Sequence, residues 1–431
     1  MNFLKFILIN LNIGFLFNLF PSIVFMNARA EFQAPILLGL NCFFLLLLSN
    51  KKTIRFNPLS FPSTKILEFK IIHNLFFVLL TIQIFIAFFY GEVTNLLFAI
   101  SLMSISYTFI LLVNSIDKIH GSSFLINSYS FLCVFILMSS IFVFLLASTG
   151  LYDPHTNLVS PGSFSAFDRN FEINHEDIFN PLYLTFILDS HRGIPFFGEF
   201  GLFVGLSHEP HTSMLFVVPG IFLFLINKSK LTQILFWILS FVFALITSSV
   251  TGLITLVICY IVYIIFSKNK NFLFLKLLIL FVLASFVYTQ IDSILYELGL
   301  DIINYKLNSQ SSTSSKGVTL SLFTYLYSPI SIFGSGAFVN IGSDYVKDIG
   351  FVNFLIIISI QICYLIGIIK ILKKSFIQPE YLYYFLFGLY FYIHSFKIGN
   401  LVFENVFYLL IIYILSKAHV FKKKDKALDY F

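Results

Sequence analysis

The chain has 431 residues, of which 58% are hydrophobic and only 11% charged, and its mean hydropathy is +0.91. No soluble domain needs that much apolar surface, and apolar runs of roughly 17–25 residues recur along the whole length, so the sequence implies an all-α polytopic membrane protein. A transmembrane barrel is excluded because the apolar residues run continuously instead of alternating. The net charge of +6 is spread by topology, which argues against a nucleic-acid partner.

Twelve spans are predicted: 4–26, 32–49, 71–91, 94–116, 124–149, 210–227, 231–247, 250–266, 272–290, 349–369, 381–397 and 401–416. The first follows no signal-peptide pattern despite "MNARA" after it, because its apolar run is longer than an h-region of about 7–15 residues. It is read as an uncleaved helix. Five spans therefore make an N-terminal membrane region, 1–149, and a large loop with a re-entrant segment occupies 150–209. Four central helices fill 210–290, and a second large loop fills 291–348. Three C-terminal helices occupy 349–416, before a basic tail, 417–431. The run 231–266 would be about 54 Å long as a single helix, far beyond a hydrocarbon core of about 30 Å. It is split at "SSVTG", 248–252.

Lysine and arginine set the orientation. With the N-terminus inside, 19 of them fall in inner segments and seven in outer ones, and Lys276 snorkels near the inner end of the ninth span. Both termini are thus expected in the cytoplasm and both large loops on the outer face. The inner side offers basic tails and short links with no nucleotide-binding loop, so no cofactor is expected. Cys42, Cys133, Cys259 and Cys363 lie in apolar runs without metal-like spacing, and no disulfide framework is read from them. The 58 Phe and 22 Tyr reflect an AT-rich coding bias before any function.

The stretch "GLFVGLSHEPHTS", 201–213, sets ionisable groups where a helix is about to begin. Pro is favoured at the first position of a helix, so Pro210 is read as the start of the sixth span, with Glu209 as its cap. Residues 196–207 are expected as an oblique or re-entrant piece packed against protein. Glu209, His208 and His211 then sit at the outer rim beside a positive helix end, where Glu209 or a histidine suits a general base for a sugar hydroxyl. Capping alone by Glu209 is the competing reading.

Arg192 precedes the membrane re-entry, where an arginine is expensive unless paired or facing water. It suits a clamp on an anionic lipid headgroup, or an ion pair with Asp189 or Glu199. Lys316 beside "SSTSS" suits phosphate or simple solvation. Gly334 and Gly336 in "GSG" let a backbone approach closely, and Ser249 and Thr251 cap or support a site at the 248–252 turn. His175, Glu176 and Asp177, or Asp153 and His155, match no metal template and read as surface polarity. No metal site is assigned. His394, Lys397 and Glu404 surround the last outer turn, where Lys397 and Glu404 pair or line a substrate cavity.

Taken in order, "FGEFGLFVGLSHEPHTSMLF", "TSSVTGLITL", "YSPISIFGSGAF" and "DIGFVNFL" resemble motifs of the Wzy-type O-antigen polymerases of the bacterial inner membrane. The resemblance covers roughly residues 190–400; the first five helices match in hydropathy alone. It departs from the family where Val250 replaces the usual turn arginine and Lys316 stands where the second loop's arginine is expected. The resemblance implies a GT-C-like architecture and a glycosyltransferase site facing the periplasm. The substrate would be an undecaprenyl-diphosphate-linked oligosaccharide, in contact with membrane lipids and with a chain-length regulator and flippase of the same pathway as further partners. On that reading Glu209, assisted by His208 or His211, is the base, and Arg192 and Lys316 hold the diphosphate. An O-antigen ligase and a lipid-linked oligosaccharide flippase remain alternatives. The near absence of midplane charges and of internal repeats disfavours the flippase.

Overall fold

The structure, a computed structural model, describes residues 33–49, 66–89, 93–159, 177–189, 201–206, 210–267, 351–395 and 406–418, with isolated positions between 7 and 12. Its helices are α1 (Gln33–Ser49), α2 (Leu67–Phe89), α3 (Val93–His120), α4 (Ser122–Ser148), α5 (Pro210–Phe224), α6 (Lys230–Ile246), α7 (Val250–Phe266), α8 (Phe351–Ser375), α9 (Glu380–Ser395) and α10 (Val406–Lys417). The chain is mostly helical with few strands, and Leu67–Phe89, Ala99–His120, Ser123–Ser148 and Phe351–Ser375 are long and apolar enough to cross a membrane. Ten of the predicted spans overlap these helices; 272–290 lies outside the described residues, as does 4–26 apart from the isolated positions. The helices overrun the apolar stretches at their ends, taking in Glu68, Lys118 and Lys370–Lys374. Hydropathy falls at the membrane interface, but the i→i−4 backbone bonds continue until a cap ends them.

Hydroxyls inside the helices mostly return to their own backbone. Thr81, Ser104, Ser115, Ser240, Thr255 and Ser359 each donate to the carbonyl four residues earlier, at 2.7–2.8 Å. With no water in the hydrocarbon, a hydroxyl satisfied within its own helix carries little cost. Large apolar side chains such as Phe85, Phe89, Phe142 and Ile362 are exposed, as lipid-facing groups are.

The chain divides into two units. The first holds most of α4, then a small sheet, α5, α6, α7 and α9. Helix α5 is its centre: every residue from Ser213 to Leu223 is buried. A helix apolar on all sides is covered on all sides, and α9, α7 and α6 pack against it. Small residues allow the close approaches. A Cβ on Gly220 would lie 2.3 Å from Cys133 Sγ, and one on Gly252 would lie 2.8 Å from Met214 Cγ. Helix α4 also reaches α5 directly: Tyr129 Oη donates to the Phe216 carbonyl at 2.6 Å, and Cys133 Sγ to the same oxygen at 3.4 Å. Trp237 is the single tryptophan. It lies within 5.1–6.5 Å, ring to ring, of Phe222, Phe241, Tyr260 and Tyr263. Whatever coding bias supplied these rings, here they tie α5, α6 and α7 together.

The second unit holds α1, α2, α3, α10 and most of α8. Tyr408 of α10 stacks on Phe76 of α2 and Tyr364 of α8, and Gly367 lets α8 close on Phe69. Asn41 of α1 donates to Thr108 of α3 at 3.1 Å. Two ion pairs join helix ends: Lys370 with Glu68, and Lys417 with Asp117 at 2.6 Å. Both pairs lie within the second unit, one at the start of α2 and one at the end of α3. All four belong to segments that the charge count assigns to one side. The Lys417 side chain is only 5% exposed and its partner 20%, so removing one member strands a charge. Lys417→Met should cost about 3 kcal/mol, read as a lower melting temperature in detergent. Lys417→Met combined with Asp117→Asn should melt above Lys417→Met alone.

The first large loop, as far as it is described, is a four-stranded antiparallel meander in the order β1 (Leu158–Val159), β2 (Asp177–Phe179), β3 (Ile187–Asp189) and β4 (Leu202–Phe203). Ile178 faces Leu188, and Leu188 faces Leu202. Between β2 and β3 a 3₁₀ turn at Pro181–Tyr183 places Leu182 and Tyr183 at φ 54° and 57°. The oblique or re-entrant piece expected over 196–207 is described only at 201–206, which are buried throughout, as strand β4 and the turn after it. The second large loop, 291–348, lies outside the described residues.

Candidate functional site

Two of the motifs singled out in the sequence meet. Helix α5 begins at Pro210, where the missing N–H is no loss because the first amides of a helix have no intrahelical partner. Helix α7 begins at Val250 after a turn built from "TSS": Thr247 ends α6, Ser248 turns at φ 48°, and Ser249 caps. The Ser249 side chain accepts the Gly252 amide at 3.3 Å. Gly252 in turn stands directly against Met214, so the first turn of α7 lies beside the second turn of α5. Both helix starts therefore open at one end of the first unit, with two positive dipole ends side by side.

The C-terminal end of α9 completes this corner. Tyr390 Oη donates to the Gly252 carbonyl at 3.4 Å, and His394, one turn on, stacks on the Tyr390 ring at 5.5 Å and is fully buried. Sequence reading set His394 at the last outer turn; here it is packed against the tyrosine that holds α7. Lys397 and Glu404 lie outside the described residues.

Of the predicted site residues, the structure brings three to this corner. His211 is the second residue of α5 and is half-buried, Thr251 is half-buried in the first turn of α7, and Ser249 is buried with its hydroxyl committed to the cap. The cap uses Ser249 Oγ as an acceptor, one of the two roles the sequence reading gave it. Arg192, His208, Glu209, Lys316, Gly334 and Gly336 lie outside the described residues. The chain positions that flank two of them are fixed: Leu206 is fully buried and Pro210 opens α5.

The approach to α5 is held by groups that the sequence reading did not single out. Helix α4 carries Ser139 and Ser140 within the apolar run "FILMSSIFVF", and both hydroxyls face the loop. Ser139 Oγ donates to the Leu184 carbonyl at 3.1 Å, and Ser140 Oγ lies 3.2 Å from Thr185 Oγ1. Thr185 Oγ1 donates to the Gly205 carbonyl at 3.3 Å, which also receives the Phe186 amide at 2.5 Å. A serine pair interrupting an apolar helix was the available signal, because two adjacent hydroxyls there call for partners outside the helix.

Asp153 and His155 form a local turn: the His155 amide donates to Asp153 Oδ1 at 2.9 Å, while the imidazole packs edge-on to Phe179 at 5.1 Å. Among the described residues no three His, Cys, Asp or Glu side chains gather closely enough to hold a metal ion, and all four cysteines are free. No protein-family model, curated protein or solved structure matches the chain.

Proposed function

We propose that this chain is a membrane glycosyltransferase of the Wzy O-antigen polymerase type. It would extend undecaprenyl-diphosphate-linked glycan at the periplasmic face of a bacterial inner membrane, with twelve spans and both termini in the cytoplasm. The observation that carries the reading is the meeting of two helix starts, one entered from "SHEP" and the other from "TSSV". Both segments belong to the motifs that resemble the family, they are far apart in sequence, and together they offer a positive end to an anion.

In the proposed step the hydroxyl at the acceptor's non-reducing end attacks the anomeric carbon of the donor glycan. The new glycosidic C–O bond forms as the bond to the lipid diphosphate breaks, and that electron pair leaves on the diphosphate oxygen. Glu209, with His208 or His211 beside it, takes the acceptor proton. Arg192 and Lys316 neutralise the leaving diphosphate, with the positive end of the α5 dipole beside them. Stabilising that developing charge is the larger demand, since donors fixed in advance cost no reorganisation during reaction.

Deleting the gene in its own host should leave lipid A carrying a single repeat unit, and re-expressing the chain should restore the ladder on a gel. A deletion that leaves no glycan on lipid A, with polymer accumulating on the carrier, would instead identify a ligase. Loss of periplasmic repeat units altogether would identify a flippase.

A further inference from the structure

Two bulky residues of the first large loop are exposed in an unusual setting. Leu182 and Tyr183, 40% and 50% exposed, sit in the 3₁₀ turn between β2 and β3. Both have a positive φ, which is strained for any bulky side chain. Such strain persists only where the surroundings fix it. Here the Tyr183 amide donates to the Asn180 carbonyl at 3.1 Å, and the Leu184 amide to the Pro181 carbonyl at 3.2 Å. Asn180 is itself tied to β1, its amide donating to the Asn157 carbonyl at 3.1 Å.

The depth of the turn follows from its partner on α4. The Leu184 carbonyl lies 3.1 Å from Ser139 Oγ, whose one proton it shares with the Ile136 carbonyl at 3.0 Å. Ser139 is nine residues before the end of α4 at Ser148, about 13 Å below it at 1.5 Å per residue. The chain stays at this level or lower: Thr185 Oγ1 is 3.2 Å from Ser140 Oγ, and Gly205 stands against Ile136. Residues 131–147 of α4, "FLCVFILMSSIFVFLLA", carry no charge. Phe135, Met138, Phe142 and Leu145 leave an exposed stripe along them, as a lipid-facing helix does. The turn is thus beside the part of α4 that crosses hydrocarbon. Backbone there must have its polar groups met within the protein. The bonds of the turn go far to meet that need, and Pro181 has no amide to satisfy.

We propose that the turn Pro181–Tyr183 is set into the bilayer, with Leu182 and the ring of Tyr183 against lipid acyl chains. The occupant is acyl chain because that is what surrounds α4 at this level, and the turn continues the exposed stripe of the helix. Neither residue brings a charge that a headgroup would meet. The first large loop is then anchored within one leaflet at its β2–β3 end, whatever reaction the chain performs.

The single tryptophan makes fluorescence the natural measurement. In a full-length Trp237→Phe chain, one tryptophan is introduced at a time by Leu182→Trp, Phe142→Trp, Phe135→Trp or Leu151→Trp. The last three form a ruler along α4: Leu151 lies just past its end, and Phe142 and Phe135 are about 9 Å and about 20 Å below it. Because the ruler belongs to the same helix, its tilt cancels. Each chain is reconstituted in phosphatidylcholine vesicles brominated near the headgroup end or near the methyl end of the acyl chains, and is separately exposed to iodide in the water. Melting temperatures confirm that each variant is folded; where Leu182→Trp is not, Tyr183→Trp reports the same level. Leu182→Trp should lose as large a share of its emission to the brominated chains as Phe142→Trp does. Its ratio of shallow to deep quenching should fall between those of Phe142→Trp and Phe135→Trp, and iodide should leave it nearly unchanged. Quenching by iodide without quenching by lipid bromines would put the turn in a water-filled cleft and overturn the proposal. A ratio equal to that of Leu151→Trp would put the turn at the bilayer surface, and quenching by neither agent would put it under protein; either result also overturns it.

Discussion

A chain carrying Glu209→Gln should accumulate in the membrane as the parent does, yet elongate lipid-linked glycan roughly 10²- to 10⁴-fold more slowly. The substitution keeps size and hydrogen-bonding capacity and removes only the ability to take a proton, so a structural role of position 209 would be largely spared. If Glu209 merely caps α5, the glutamine would accept the same amide bonds and the ladder would persist. Arg192→Ala should fall by about 10²- to 10³-fold for a different reason, the loss of a charge that meets the leaving diphosphate. The pair can be told apart by adding a better leaving group to the donor, which should relieve Arg192→Ala more than Glu209→Gln. Intact ladders from both variants would place the chemistry elsewhere on the chain.

The second large effect is steric. Gly220→Ala would set a methyl 2.3 Å from Cys133 Sγ and 2.7 Å from Cys133 Cβ, where α4 and α5 cross. Rotating Cys133 about χ1 moves its sulfur away, but the 2.7 Å contact stays, because both β-carbons are fixed by their backbones, so the helices must separate. Overpacking of this kind costs about 3 kcal/mol, and the better helix propensity of alanine returns about 1 kcal/mol. The net loss of about 2 kcal/mol should lower the melting temperature of the solubilised protein by roughly 2 °C. Cys133→Gly in the same chain removes both offending atoms and should recover part of the loss, giving a coupling that two independent sites would not show. An unchanged melting temperature in Gly220→Ala would mean the two helices do not approach this closely.

Helix positions were legible in the sequence because length and apolar continuity are local properties. The split of 231–266 was legible too, since one helix of that length exceeds the bilayer and "TSS" supplies both an end and a cap. The meander in the first large loop was not. Its strands are two or three residues long, too short to show alternation, and their partners lie up to 65 residues away on α4, as Ser140 and Gly205 do. The candidate site was legible as motifs and not as an arrangement. Nothing local says that Gly252 fits against Met214, because a glycine in an apolar helix signals a close approach without naming what approaches. Trp237 shows the same limit from the other side: nothing in its sequence marks it out, and only its ring contacts reveal that it joins three helices.

The complete enclosure of α5 has a consequence for biogenesis. Translation runs from the N-terminus, and α9, which covers much of α5, is not synthesised until residue 380. Until then the side of α5 around Phe222, where Tyr390 of α9 comes to lie, faces acyl chains or neighbouring nascent segments. Ribosome stalling or premature termination anywhere upstream of α9 would leave this helix without its sheath, open to quality-control proteases. Nonsense alleles late in the gene should therefore behave as harshly as early ones.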